Sequence, residues 1–413
     1  MALIYFIFNP VIGLITSLKN MTKLSEGIVF ICFYALFGYA FDFSLQTADC
    51  FRIARSFQEY TDQSISEIIS LYKNGRVTDI YLYCMFSCIH PITTNPKILY
   101  LVFHFIYGFF TYLFIKKFYI INNTNHDKVF YITIFCIIMM HSPVHLSTTR
   151  HYTASAIFIY GIIQYFIYNK KAILLIVITP LIHFSFIVSA AAFIVFLLIN
   201  KFAIPTKLIF YLTVLVFFVS FVNLNNETST FFSQTEIETD HARINTKINA
   251  YENSSENQER NYFKDRERLS SQGRYYEANK LFSNLTQNIS KIGAFILLVL
   301  LYKDRKILNL NHTQKRLFKY ILLTFLLYYS SSIVMSNTSF RFGELANMIL
   351  IFYLYHCYAL YNFSKLKKYI MCLPFIFIYQ ICFTLFNAPR LVEETFWIFP
   401  PILTLINGIN FNI

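Results

Sequence analysis

Charge is scarce in this chain: only 14% of its 413 residues are Asp, Glu, Lys or Arg, against 56% that are hydrophobic. Apolar runs fill nearly the whole length, which points to an integral membrane protein of many helices. Acidic residues are fewer still, 22 against 35 basic ones, giving a net charge of +13. That excess does not imply a nucleic-acid partner, because most lysines stand in short connections between apolar helices, the positive-inside pattern. A cysteine framework is also lacking. Seven of the eight cysteines lie within apolar spans and only Cys50 in a polar connection, so neither disulfides nor a zinc site follow. No basic residue precedes the run Leu3 to Leu18 and no small-residue cleavage site comes before Lys19 and Lys23, so this run is expected to be a retained transmembrane helix rather than a signal peptide. No internal repeat of the kind that marks many secondary transporters is found.

What is present is a series of apolar segments at roughly 3–18, 27–43, 98–116, 128–141, 152–168, 171–183, 184–200, 207–223, 288–302, 317–334, 342–362, 369–386 and 396–411. The expected fold is an all-α polytopic membrane domain over residues 1–413, with about 12–14 transmembrane helices. Placing the lysine-rich connections inside leaves 42–79, 141–151, the turn at His183, 224–290, 335–341 and 387–395 outside. Parity then requires Ile80 to Ile92 to be re-entrant or interfacial. Between Lys171 and Asn200, Pro180 and His183 mark a turn between two short helices. Two outer segments stand out, 42–79 as a first loop with an amphipathic helix and 224–290 as a large loop. The large loop holds ten acidic and eight basic residues, too balanced to grip a polyanion. Its second half has helix-forming composition, so it is expected to be part helix and part loop. The 47 Phe and 31 Tyr accompany abundant Ile, Asn and Lys, as an AT-rich coding bias produces, and carry no functional weight as a class.

Chemistry concentrates in the outer segments. In "HSPVHLSTTRHYTASAIFIYGIIQYFI", Arg150 opens an apolar helix, and Ser147, Thr148 and Thr149 are positioned to cap it. No carboxylate lies within one turn, so the guanidinium and the first amide groups form a positive site for an anion. The alternative is an arginine that snorkels to lipid headgroups. "SNTSFRFGELANMILIFYLY" repeats the design around Arg341, although Glu344 at i+3 offers that arginine a pairing partner. In the first loop, Asp49 and Arg52 at i,i+3 form either a solvated ion pair or a functional pair, with Asp49 as a general base at the membrane surface. His141 and His145 are separated by Pro143, which spoils the face a metal pair needs, and no metal is expected. His183 is either a hydrogen-bonded structural histidine or a proton-transfer group.

The segments "ADCFRIARSF", "TDIYLYCMFSCIHPITTNPKILYLVFHFI" and "STTRHYTASAIFIYGIIQYFIYNKKAILLIVITPLIHFSFIVSAAAFIV" together resemble the EpsG family of polysaccharide polymerases, relatives of the Wzy O-antigen polymerases. The resemblance pairs Asp49 with Arg52, Arg150 with Ala154, and His183 with Ser185. It covers about residues 25 to 200 well, and Ile53 departs from the aromatic residue often found there. It implies a multi-pass inner-membrane glycosyltransferase of GT-C-like architecture, joining undecaprenyl-diphosphate-linked repeat units at the periplasmic face in polysaccharide or lipopolysaccharide biosynthesis. The partners implied are those lipid-linked units, membrane lipids and a chain-length regulator, with no cofactor.

The donor's anomeric carbon is already activated by phosphate. The protein must stabilise charge on the departing diphosphate and deprotonate the acceptor hydroxyl. The substrate-binding residues expected are Arg150, Arg341, Arg52 and Glu344, and the expected catalytic ones are Asp49 and His183. An O-antigen ligase shares the donor and the loop architecture. A flippase or transporter would carry charges near the midplane, whereas here they gather at helix ends. An acyltransferase would usually need a histidine and an arginine near the first helix, and residues 1–40 hold neither.

Overall fold

The computed structural model describes residues 1–43, 49–61, 63–74, 77, 79–122, 126–168, 172–220, 270–308, 310–334, 336–361, 363–392 and 395–407. Most of the large loop, residues 221–269, lies outside the described residues.

The described chain is all-helical, with a single isolated bridge between Phe41 and Val392. Two short helices, α1 (Ala2–Phe8) and α2 (Pro10–Ser17), precede α3 (Leu24–Tyr39). The first loop contributes α4 (Asp49–Gln58) and α5 (Ile65–Lys73), followed by α6 (Ile80–Ile89) and the long α7 (Pro96–Asn122). Then come α8 (Lys128–Met140), a 3-10 segment Pro143–Thr148, α9 (Thr149–Ile163) with a π-helical extension Gln164–Tyr168, α10 (Ile173–Ile182), α11 (Phe186–Lys201) and α12 (Thr206–Val219). The remainder comprises α13 (Ser270–Asp304), α14 (His312–Val334), α15 (Ser336–Tyr361), α16 (Ser364–Met371), α17 (Leu373–Ile376), α18 (Ile378–Leu391), α19 (Thr395–Ile398) and α20 (Pro401–Asn407).

Three described stretches are long and apolar enough to cross a bilayer, Pro96–Ile121, Lys128–Ile167 and Leu285–Asp304, and a fourth if Ser364–Ile376 and Ile378–Leu391, bent by 45°, count as one. Lys128–Ile167 folds back on itself at the 3-10 segment. Asp127, just before α8, bonds Tyr358, and Tyr165, past the end of α9, bonds Arg316. These partners share one end of the bundle, since Tyr361 bonds Gln314 at the start of α14. That end also collects Lys365 and Tyr369 around Asp304 and Lys319 on the Ile204 carbonyl. The candidate site lies at the opposite end.

α3 and α7 run antiparallel in close contact because glycines let their backbones approach. A Cβ on Gly38 would strike the His104 imidazole and the Tyr100 carbonyl oxygen, and one on Gly108 would strike Tyr34. Small residues at such crossings are how helices associate without a hydrophobic drive between them.

The first apolar run does not form a transmembrane helix, contrary to the expectation from hydropathy. Asn9 adopts an extended conformation (φ −154°, ψ 123°) and the chain reverses there, so Gly13 of α2 packs directly on Phe6 of α1. Pro10 cannot continue a helix from Asn9, and each limb of seven or eight residues rises only about 12 Å, far short of the ~30 Å hydrocarbon core. Asn9 supports the reversal: its Oδ1 accepts from the Val11 and Ile12 amides and its Nδ2 donates to the Trp397 carbonyl. The last apolar run is likewise divided, into α19 and α20 around Pro400 and Pro401.

α6 has ten residues and spans about 15 Å, half of a hydrocarbon core. It packs back on the first loop, with Ser87 bonding the Gln63 carbonyl and Phe86 against Phe57 and Tyr60. The segment is thus too short to cross a bilayer as a single helix. Between Lys171 and Asn200 there are two helices. The reversal falls at His183, and Pro180 is accommodated inside α10. The end of the large loop, from Ser270 on, is continuous with the next apolar run, giving the 35-residue α13.

Candidate functional site

The site is assembled where α4, α6, α9 and the α10–α11 turn converge. Each contributes its polar group from a helix end. Asp49 is the first residue of α4, Asp79 immediately precedes α6, and Arg150 is the second residue of α9.

Arg150 is not free of carboxylates. Its Nη1 donates to Asp79 Oδ2 at 2.6 Å, and its Nη2 stands 4.0 Å from Asp49 Oδ2. The expectation of an unneutralised arginine is thus corrected: the absence of acid within one turn said nothing about an acid 71 residues away. Asp79 is held twice, since its Oδ1 accepts the Phe184 amide at 2.9 Å, and only 3% of its side chain is exposed. Asp49 is a quarter exposed and held more loosely, by Arg52 Nη2 at 3.2 Å. Two carboxylates and two guanidinium groups therefore balance in a row from Asp79 through Arg150 and Asp49 to Arg52.

Three members of this row, Arg150, Asp49 and Arg52, line an open cleft of about 420 Å³ together with Tyr60, Tyr83 and Phe86. A quarter of the Arg150 side chain remains exposed, and its Nε is buried without a partner among the described residues. The helix end itself contributes less than expected. Thr148 makes no side-chain cap, and the chain enters α9 directly from the 3-10 segment, with Thr149 Oγ1 bonded to the Leu146 carbonyl. The positive feature here is the guanidinium rather than a bare helix N-terminus.

His183 ends α10 in an extended conformation. Its Nδ1 lies 2.7 Å from Ser185 Oγ and 3.3 Å from the Ser185 amide, so the two residues paired by the family resemblance are joined by hydrogen bonds. An Nδ1 that accepts from a backbone N–H leaves the proton of the neutral ring on Nε2. In this arrangement His183 is a hydrogen-bond donor. Its ring lies edge-on to His151 with centroids 5.4 Å apart.

On another face of α9, Tyr152 donates to Glu344 Oε2 at 2.7 Å in a buried contact. Glu344 thus takes a tyrosine hydroxyl, and among the described residues Arg341 has no carboxylate within ion-pair distance. Arg341 sits in the second turn of α15, over the Phe340 ring. His141 and His145 serve packing: the His145 ring is stacked between Tyr152 and Phe383, and Tyr34 donates to the His141 carbonyl.

A family model described as the EpsG family matches residues 27–397. The chain belongs to the EpsG family. Asp49, Arg52, Asp79, Arg150, Arg341 and Glu344 all fall inside the matched span, and members of this family are Wzy-type polymerase-like membrane proteins. No curated protein and no solved structure matches the chain. Family membership and the apolar helices together make this EpsG protein a membrane protein of polysaccharide biosynthesis.

Sequence reasoning missed Asp79 and Tyr152 as partners of the site's charged groups. Asp79 was visible only as one charge among several in its loop, and no spacing rule connects it with Arg150. Tyr152 was one tyrosine of 31.

Proposed function

We propose that this EpsG protein is a polysaccharide polymerase with a GT-C-like architecture, which transfers a growing glycan from undecaprenyl diphosphate to the next lipid-linked repeat unit. In this reading the site faces the periplasm of a bacterial inner membrane, opposite the lysine-rich end. The observation that carries it is the cleft in which Arg150 and Arg52 share the loosely held Asp49.

The row is neutral at rest, so an anion must take a carboxylate's place. Asp79 is buried and doubly bonded, while Asp49 is partly exposed and held at 3.2 and 4.0 Å. A diphosphate, with more charge and more acceptor oxygens, displaces Asp49 from the two arginines. Released beside the bound donor, Asp49 becomes the general base. It takes the acceptor hydroxyl proton as the acceptor oxygen bonds the anomeric carbon. The bond from that carbon to the diphosphate oxygen breaks, and the diphosphate leaves with the electron pair. Arg150 and Arg52 hold the departing charge, Arg341 approaches from α15, and His183 offers its Nε2 proton.

Purified protein in lipid, supplied with undecaprenyl-diphosphate-linked repeats, is expected to build a product ladder. Arg150→Ala is expected to cut ladder formation roughly 100-fold or more per amount of folded protein, since the change also leaves the buried Asp79 without its counter-charge. A full-length ladder from that variant overturns the assignment. Deletion of the gene is expected to leave surface glycans with one repeat attached, whereas loss of every repeat indicates a ligase or flippase.

A further inference from the structure

A second polar pocket lies deeper in the bundle, on the α15 side of α9. It is lined by Gln287 and Ser290 of α13, Tyr328 of α14, Glu344 and Asn347 of α15, and Gln380 of α18. Asn347 is 3% exposed and Gln380 5% exposed, and the Asn347 Oδ1 and Gln380 Oε1 atoms are buried without a hydrogen-bond partner among the described residues. Buried amides left unpaired are costly, so the pocket is built for a polar occupant. Gly343 keeps its wall open, because a Cβ there would come within 2.8 Å of the Tyr328 ring.

The lining selects the chemistry of that occupant. It contains a carboxylate and no lysine or arginine, which disfavours an anion. A hydroxyl both donates and accepts, so it satisfies a carboxylate and an amide whichever edge the amide presents. The volume, about 10 Å³, is that of one water-sized group. The site therefore admits one hydroxyl, with the rest of its ligand left at the mouth.

We propose that this pocket binds a hydroxyl of a neutral sugar, with Glu344, Asn347 and Gln380 as its partners and Tyr152 holding the Glu344 carboxylate in place. The arginine cleft would then take the diphosphate and this pocket a sugar of the repeat unit. The identity of that sugar's carrier rests on the polymerase reading, but the binding does not.

The test is saturation-transfer NMR on the full-length protein in lipid nanodiscs. The probes are the cell's own repeat-unit oligosaccharide, released free of lipid and phosphate, and inorganic diphosphate. The oligosaccharide is expected to bind the parent protein and to weaken at least tenfold in Asn347→Leu and in the near-isosteric Gln380→Met, with diphosphate binding unchanged. Arg150→Ala is expected to do the reverse. Retained diphosphate binding shows that the pocket variants fold. The proposal is overturned if the oligosaccharide binds all variants equally or binds none, in which case the pocket holds a structural water only. If oligosaccharide binding follows the expected pattern while the protein builds no ladder, the pocket stands and the polymerase reading falls.

Discussion

Asp79 is the residue on which the arrangement of the site depends most. It has almost no exposure and ties the guanidinium of α9 to the backbone at the α10–α11 turn. Removing it leaves a largely buried Arg150 without its counter-charge. Asp79→Ala is therefore expected to cost about 3 kcal/mol, seen as a drop of several degrees in thermal unfolding. Asp79→Asn, which keeps an acceptor for the Phe184 amide, is expected to cost less. Equal losses in the two variants would argue against the charge as the cause. The pair also marks the limit of reading a sequence locally. Arg150 stood out because of the apolar helix behind it, but its partner is brought near only by the fold. Cys50 gives a chemical check on α4. Burial pushes its thiol up to about 11, so at pH 8 it is almost wholly protonated and a poor nucleophile. Maleimide at pH 8 is expected to label the exposed Cys88 of α6 and spare Cys50, with Cys50 reacting only as the pH approaches 11. Labelling of Cys50 at pH 8 would show that α4 is not packed as described.

Among the elements, hydropathy located apolar runs well but did not show which of them cross. The three stretches that pass on length and composition include a folded pair, α8 and α9, which the outer polar segment 141–151 had already divided. The run Leu3 to Leu18 was misread because its apolarity continues smoothly through the Asn9–Pro10 step, where backbone geometry rather than polarity turns the chain. The reversal at His183 was legible because polar and apolar character change together there. Helix contact depends on features that composition does not show at all. Gly38 lies against His104 and the Tyr100 carbonyl, and backbone atoms cannot yield as a flexible side chain does. Gly38→Ala is expected to separate α3 from α7 at a cost of about 1–3 kcal/mol, measured as lowered thermal stability in detergent. An unchanged melting temperature would mean the two helices are not in contact at that point.

For the whole molecule, the charge pattern separates two ends. One gathers lysines and arginines around Asp304 and Gln314, and the other holds the row from Asp79 to Arg52. The native Cys88 and a cysteine placed at residue 368 are expected to react with an impermeant reagent from opposite sides of sealed vesicles, and cysteines placed at residue 3, which is half exposed, and residue 20 from the same side. Labelling of residues 3 and 20 from opposite sides would restore a spanning first helix. The Asn9 reversal also has a consequence for biosynthesis. Its side-chain amide donates to the Trp397 carbonyl, 388 positions further along the chain. In apolar surroundings an unmet donor costs several kcal/mol, so a nascent chain released before residue 397 would keep an open seam beside the Asn9 reversal. Quality control that samples unclosed bundles would recognise such truncated products, because this lock is set only once Trp397 has been added.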